Sequence, residues 1–399
     1  MNIRKKIIAA MLCVVSVFQL VGNVYADGTN VKRNVVEVDT TVSVKDLLND
    51  FSSKSVIVCE TTTGKILFEK NSTEVQPISH LTKLMTLLLT AEKIDSGDIT
   101  YKDKVIVSEH ANSMQGSQIW LDKGEKITVD ELVKSITVGN ANDACCALAE
   151  YVGGSEEDFV NVMNERTKEL EMTSTKYVDC TGISDENVSN AADLSILCTE
   201  LLKYKNLKPY LTTWLDTVRG GKAELVNLNK LVRTYKGISG MKACASDKAG
   251  NCIAATAEKN GMSLCAVLLG ASDGDKRDAE TKKILDLSFD TFEIYKPEIP
   301  KELLENMKVK GGEKADVKVK ISGLQTVVVP KGASWNAEVT SNREEQLTAP
   351  VKKGDKAGDF SVTLNDEIII DCEICADENV NKMNFKCGLG KLLYNLLNL

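Results

Sequence analysis

The chain has 399 residues, 43% hydrophobic and 27% charged, a make-up that buries a full core and excludes a fibre or a disordered tail. Its 49 basic and 57 acidic residues leave a formal charge of −8 and are interspersed, so no footprint for nucleic acid exists. With only two histidines, His80 and His110, a histidine-rich metal site is not expected, and His110, in a polar stretch, is read as a surface residue.

Arg4, Lys5 and Lys6 precede an apolar run from Ile7 to about Val21, and Val24-Tyr25-Ala26 has the small-residue pattern of a cleavage site. Residues 1–26 are therefore read as a secretory signal, since a permanent span needs about 20 apolar residues. An uncleaved anchor is the alternative. Residues 27–49 are polar, lack helical periodicity and are expected to form a linker.

From there the length prior gives roughly two domains. Ser55–Cys59 and Lys65–Glu69 flank a turn at Thr63-Gly64 and predict a hairpin. Apolar spacing predicts helices over His80–Ile94, Val129–Val138, Ala141–Tyr151, Glu156–Leu170 and Ala191–Leu202. Asn251–Glu258 and Ser263–Leu269 read as strands joined at Lys259-Asn260-Gly261, followed by a last helix over Asp275–Tyr295. Residues 50–296 are thus one domain, and Pro297 and Pro300 mark a linker over 297–304. Over residues 305–380 the pattern becomes short strands: Val317, Val319 and Ile321, then Val327–Val329, Ala337–Val339, Phe360–Leu364 and Glu367–Ile374, which predict a small β-sandwich. In residues 381–399, Phe385, Leu389, Leu392, Leu393, Leu396 and Leu397 fall on one helical face beside Lys386 and Lys391. That stripe is too short to span a bilayer and is expected to lie on the membrane surface, against the alternative of a helix packed on the β domain.

Of 12 cysteines, Cys13 leaves with the signal and the others are scattered in apolar surroundings such as Val58-Cys59, Leu197-Cys198 and Leu264-Cys265, where they behave as small hydrophobes. The spacings suggest no disulfide framework. Cys372-x-x-Cys375 is half of a zinc pattern and is expected on a strand, so no metal and no cofactor is expected.

Several sequence words then occur in order: Gly116-Ser117-Gln118-Ile119-Trp120-Leu121, Val129-Asp130-Glu131-Leu132, Asn142-Asp143-Ala144, Ala147-Leu148-Ala149-Glu150, Gly153-Gly154-Ser155, Lys259-Asn260-Gly261-Met262 and Ala266-Val267-Leu268-Leu269-Gly270. On these the chain resembles the serine-type D-alanyl-D-alanine carboxypeptidases, the low-molecular-mass penicillin-binding proteins. The resemblance runs from about Ser55 to Lys296, and the β domain and terminal helix share it. It implies an α/β (α+β) penicillin-binding-protein/β-lactamase-like domain with a mixed sheet and a helical lobe, then the β-sandwich and the amphipathic helix. It also implies export to the outer face of the cytoplasmic membrane or the cell wall, with peptidoglycan stem peptides as ligands.

That family works through S-x-x-K, S-x-N and K-T-G. The lysine of the first motif lowers the cost of deprotonating the serine, the second motif relays a proton and holds substrate, and the third attracts the substrate carboxylate. Here the first reads Pro77-Ile78-Ser79-His80-Leu81-Thr82-Lys83, with His80 at the nucleophile position and Lys83 kept. The second is Asn140-Ala141-Asn142, where Asn140 replaces the serine, and the third is Lys242-Ala243-Cys244, without the threonine hydroxyl or the glycine. The expected substrate-binding positions are Asn142, Lys242 and Ala243. His80, Lys83 and Asn140 are expected to be vestigial catalytic positions. Ser79 is an alternative nucleophile, four residues from Lys83 on a helix face, but one step along a helix turns a side chain by about 100°, and ~1 Å of misplacement costs ~100-fold. A Cys244–His80 pair, as nucleophile or as metal ligands, is outweighed by a retired site in which Cys244 narrows the cleft. The expectation is a non-catalytic member that binds stem peptides or a cell-wall synthesis protein. Its rivals are an active carboxypeptidase using Ser79 and Lys83, and a fold that only presents its β domain to partners.

Overall fold

The computed structural model describes residues 41–385 and residue 389. The expected signal at 1–26, the expected linker up to residue 40 and the terminal leucine stripe beyond Phe385, Leu389 apart, lie outside the described residues. The chain divides into two compact units, one running to Asp286 and the other taking Leu287 onward together with Asn260–Met262.

The first unit is built on a sheet of five strands, β1 (Ser55–Glu60), β2 (Ile66–Lys70), β3 (Ile238–Ser246), β4 (Gly250–Lys259) and β5 (Met262–Ala271), in the spatial order β2-β1-β5-β4-β3. The β1–β2, β1–β5 and β3–β4 pairings are antiparallel. Every residue of β1 is buried, as are nine of the ten in β5. Such strands are covered on both faces and read as apolar runs without alternation. The predicted β1–β2 hairpin forms, and Glu60 fastens its turn by accepting the Thr62 and Thr63 amides at 3.0 and 2.7 Å.

Helices occupy the sequence between β2 and β3. They include α2 (Lys83–Asp95), α3 (Glu109–Ser113), α4 (Val129–Thr137), α5 (Asn142–Gly153), α6 (Glu156–Glu169) and α7 (Ala191–Leu201). Their starts follow capping chemistry. Thr128 and Glu131 form a reciprocal capping box on α4, while Ser155 and Asn190 cap α6 and α7. The core beneath is dominated by α2 and α5, with Leu84, Leu87, Leu88, Cys145 and Leu148 at 0% exposure.

Two differences from the sequence reading concern boundaries. The expected linker 27–49 ends in a helix, α1 (Thr41–Asn49), because Val44, Leu48 and Phe51 follow helical spacing and are buried. The helix expected over 275–295 runs from Gly274 to Thr291 and then stops. Phe292–Tyr295, in which Phe292, Ile294 and Tyr295 are aromatic or β-branched, forms a strand instead (β6).

The second unit therefore begins earlier than the expected linker at 297–304. β6 pairs with β10 (Val327–Pro330). A second sheet orders β8 (Asp316–Val317), β7 (Met307–Lys310) and β12 (Gln346–Thr348). A third runs β9-β14-β13-β11, from Val319–Ser322, Glu367–Ala376, Lys356–Leu364 and Glu338–Arg343. Met307, Val317, Phe360, Val362 and Ile374 fill its core. Cys372-x-x-Cys375 lies on strand β14, as expected. All ten described cysteines are buried free thiols. Among the described residues no helix is long and apolar enough to cross a membrane.

Candidate active site

The first motif does not begin as an α-helix. Gln76 and Pro77 pair with Val188 and Ser189, and the Ile78 amide donates to Asn187 O at 3.1 Å, so the chain arrives extended. It turns through a short 3-10 segment, Ser79–Thr82, before α2 starts at Lys83. Ser79 makes the corner with φ of 47°, a left-handed backbone conformation that is unusual for serine. Opposite it lies Gly182, at φ of +82°, where a Cβ would stand 2.1 Å from Ser79 O and 2.9 Å from His80 Cα. Ser79 is 3% exposed and its Oγ has no hydrogen-bond partner, so the hydroxyl is not presented to Lys83. The helical i,i+4 argument for Ser79 does not apply, because the residue precedes the helix.

His80 and Lys83 do meet. Lys83 is 0% exposed, and its Nζ lies 2.6 Å from Asn142 Oδ1, 2.7 Å from Thr181 O and 2.9 Å from His80 Nδ1. An ammonium has three N–H groups, and Asn142 Oδ1 and Thr181 O accept two of them. The half-buried imidazole is driven to a pKa of about 3, first by burial and then by the Lys83 charge, with the Thr181 carbonyl opposing. His80 Nδ1 also lies 2.9 Å from Thr181 O, so the same nitrogen donates to that carbonyl in one neutral tautomer and accepts from Lys83 in the other. Burial also lowers the pKa of Lys83.

The second motif sits at the start of α5. Asn140 has φ of 57°, is 4% exposed and leaves Oδ1 without a partner. Asn142 is fully engaged: besides accepting from Lys83, its Nδ2 donates to Gln115 O at 2.6 Å and its amide donates to Ser117 O at 2.7 Å. Asp143 accepts the Ile119 and Leu121 amides, which fixes the intervening loop on α5.

The third motif is central in β3, where Ala243 faces Ile253 and Cys244 faces Cys252. Lys242 is 3% exposed and donates to Ile136 O at 2.7 Å; burial, then the Lys83 charge, lowers its pKa to about 7. Cys244 Sγ points at Ile78 O, 3.6 Å away, so this side chain fills the space between β3 and the motif turn. A hydrogen bond from Cys252 lowers its thiol pKa to about 7 against the effect of burial. No described hydrogen bond joins Cys244 to His80, and the motif residues form no described cluster of three metal-ligating groups.

Residues 179–182 escaped the sequence reading. Asp179 accepts the amides of Thr181, Gly182 and Ser184 at 2.7, 2.6 and 2.9 Å and the Asn187 Nδ2 at 2.7 Å. Burial raises its pKa, but these bonds outweigh burial and hold the carboxyl below its ordinary value. The Asp-x-Thr-Gly spacing signals a turn. Nothing in it signals that the Thr181 carbonyl would serve Lys83. The cavity of about 200 Å³ lined by Ala91, Ile94, Tyr101, Tyr204 and Leu207 contains none of the motif residues.

Comparison with known proteins gives the same lineage. Residues 33–273 match the family model of D-alanyl-D-alanine carboxypeptidases, and residues 289–382 match the C-terminal domain of penicillin-binding protein 5. The chain is 36% identical over 338 residues to the D-alanyl-D-alanine carboxypeptidase DacF of Bacillus subtilis, covering 84% of this chain and 87% of that protein. It is 30% identical over 342 residues to DacC of Escherichia coli, covering 84% and 85%. The crystal structure of penicillin binding protein 5 from Haemophilus influenzae superposes with a TM-score of 0.74 at 25% identity, covering 84% of this chain and 98% of that one. Penicillin-binding protein D2 of Listeria monocytogenes, solved in an ampicillin-bound form, superposes with a TM-score of 0.56 at 27% identity over 60% of this chain and 98% of that one. A family match across more than half the chain, together with these relatives, establishes that the chain belongs to the D-alanyl-D-alanine carboxypeptidase family.

Proposed function

We propose that this family member acts in peptidoglycan metabolism without catalysis, by binding stem peptides or a cell-wall synthesis protein. One observation carries the reading: an imidazole stands at the nucleophile position, with its Nδ1 2.9 Å from Lys83 Nζ. Acyl transfer in this family uses a serine oxygen as nucleophile with a lysine as base beside it. Lys83 Nζ contacts His80 Nδ1, Asn142 Oδ1 and the Thr181 carbonyl, none of them a hydroxyl, and the Ser79 hydroxyl is buried without a hydrogen-bond partner. The inward Lys242 and the bulk of Cys244 point the same way, since both withdraw groups that would meet a substrate carboxylate.

The decisive experiment is intact-protein mass spectrometry after incubation with a β-lactam. No adduct is the expected result. A stoichiometric adduct mapped to Ser79 would make the protein an active carboxypeptidase with a shifted motif. Calorimetric titration with a D-Ala-D-Ala-ending peptide then separates the binding reading from one in which the cleft is idle.

The same reading includes export with cleavage after Ala26, and attachment to the membrane surface through the terminal leucine stripe. Support comes from the basic start, the apolar run and the one-sided leucines. N-terminal sequencing of the exported protein is expected to give Asp27, and retention of Met1 would make the segment an anchor.

A further inference from the structure

Behind Thr181, on the α3 side of α5, lies a second group of chemically competent side chains. Cys146 and Glu150 are one turn apart on α5, and His110 belongs to α3. One ligand atom from each falls within 4.8 Å of the other two, with Cys146 buried, Glu150 half-buried and His110 exposed. We propose that His110, Cys146 and Glu150 bind one Zn²⁺ ion through an imidazole nitrogen, a thiolate and a carboxylate oxygen. This mixed set is of the kind zinc accepts, with metal–ligand bonds of about 2.0–2.3 Å that bring the three atoms closer together by rotation of the His110 and Glu150 side chains.

Glu156 supplies the second element of such a site. Its Oε2 lies 2.6 Å from His110 Nε2, while its Oε1 accepts the Cys180 amide at 3.1 Å. A carboxylate fixed by backbone and bonded to one ring nitrogen holds the ring and its tautomer, which leaves Nδ1 for the metal. The charges also match. A Glu150 oxygen lies within 4.8 Å of the His110 and Cys146 ligand atoms and Glu156 stands against the ring, so two carboxylates crowd the site. A divalent cation offsets that crowding. As the zinc–sulfur bond forms, the thiol proton passes to solvent, and the fourth position opens on the exposed His110 side.

The ion would tie α3 to α5 four residues past Asn142, bracing the helix that carries the second motif. It is independent of whether the motif site is catalytic.

The test uses the full purified chain, incubated with Zn²⁺, desalted and analysed for metal. About one ion per chain is expected, falling to background in His110→Ala, Glu150→Gln and Cys146→Ser, with Cys252→Ser unchanged. Loading with Co²⁺ instead should give a near-ultraviolet thiolate-to-metal band that Cys146→Ser abolishes. His110→Ala alters an exposed side chain, and circular dichroism verifies its fold, so a misfolded Cys146 variant does not spoil the test. Failure of the unmodified chain to retain zinc overturns the proposal, as does equal retention by His110→Ala and Glu150→Gln.

Discussion

Lys83 Nζ lies 2.9 Å from His80 Nδ1, and with Asn142 Oδ1 and Thr181 O the imidazole encloses a buried amine. In the family to which this chain belongs, the corresponding positions pair a serine with a lysine as nucleophile and base. Substituting histidine keeps the hydrogen bond and removes the reactive oxygen. Removing the lysine would leave Asn142 Oδ1 and Thr181 O without this donor.

That arrangement fixes how His80 titrates. An imidazole held at a pKa of about 3 takes up its proton far later in the folded protein than in the unfolded chain, whose value is near 6.5. Stability from keeping His80 neutral is fully present above about pH 6.5 and is lost as the pH falls toward 3. Imidazole resonances followed by NMR should show His80 unprotonated at pH 5. The acid sensitivity of the unmodified chain should exceed that of His80→Gln. A midpoint for His80 near 6.5 would show that the ring is neither buried nor set against the Lys83 charge in solution.

Lys242 gives a second test of the same sign, at higher pH. Its pKa is lowered from 10.5 to about 7, so the unfolded chain takes a proton that the folded chain resists. The cost is absent above pH 10.5, grows as the pH falls, and is complete below about 7. Lys242→Met is expected to stabilise the protein near pH 7 by roughly 1–3 kcal/mol, after the lost bond to Ile136 is offset, with the gain fading toward pH 10.5. Thermal melts across that range decide it. A loss of stability at neutral pH would mean that Lys242 is held by a partner other than the Ile136 carbonyl.

Gly182 is the tightest point of the site. A Cβ there would stand 2.1 Å from Ser79 O, at a φ of +82° that side-chain-bearing residues avoid. Gly182→Ala should cost about 3 kcal/mol or more, because neither backbone segment has room to give. It should also shift the His80 resonances. Retention of wild-type stability would show that the motif turn is looser than its packing implies.

Much of this site was legible in the sequence, for definable reasons. His80 and Lys83 fall three residues apart at a helix start, and Asn142 and Lys242 survive within recognisable words, so four positions followed from spacing and wording. Ser79 did not. The one-step rotation argument assumes a regular helix, whereas the chain turns through φ of 47° before the helix begins. Thr181 was invisible because it acts through a backbone carbonyl, which no residue type encodes. The α1 helix was hidden by the polar stretch before it, although the spacing of Val44, Leu48 and Phe51 was in plain view. Phe292–Tyr295 continued an apolar helical pattern, and only its pairing with Val327–Pro330 makes it a strand.

The last prediction concerns restoration of chemistry. His80→Ser alone should recover little acylation by a β-lactam, although a serine hydroxyl at that position would again accept from Lys83. Members of one catalytic unit are grossly non-additive, and losing a nucleophile alone can cost ~10⁶-fold in a serine hydrolase. With His80→Ser alone, Asn140 still provides no hydroxyl, Ala243 offers nothing to a carboxylate, and Cys244 still occupies the space beside Ile78. Combining His80→Ser with Asn140→Ser, Ala243→Thr and Cys244→Gly should give a measurable covalent adduct by intact mass. If the single variant acylates as well as the fourfold one, the altered second and third motifs are not what silences the site. If the fourfold variant folds but takes no β-lactam, the inward geometry of Lys242, donating to Ile136 at 2.7 Å, is the remaining barrier.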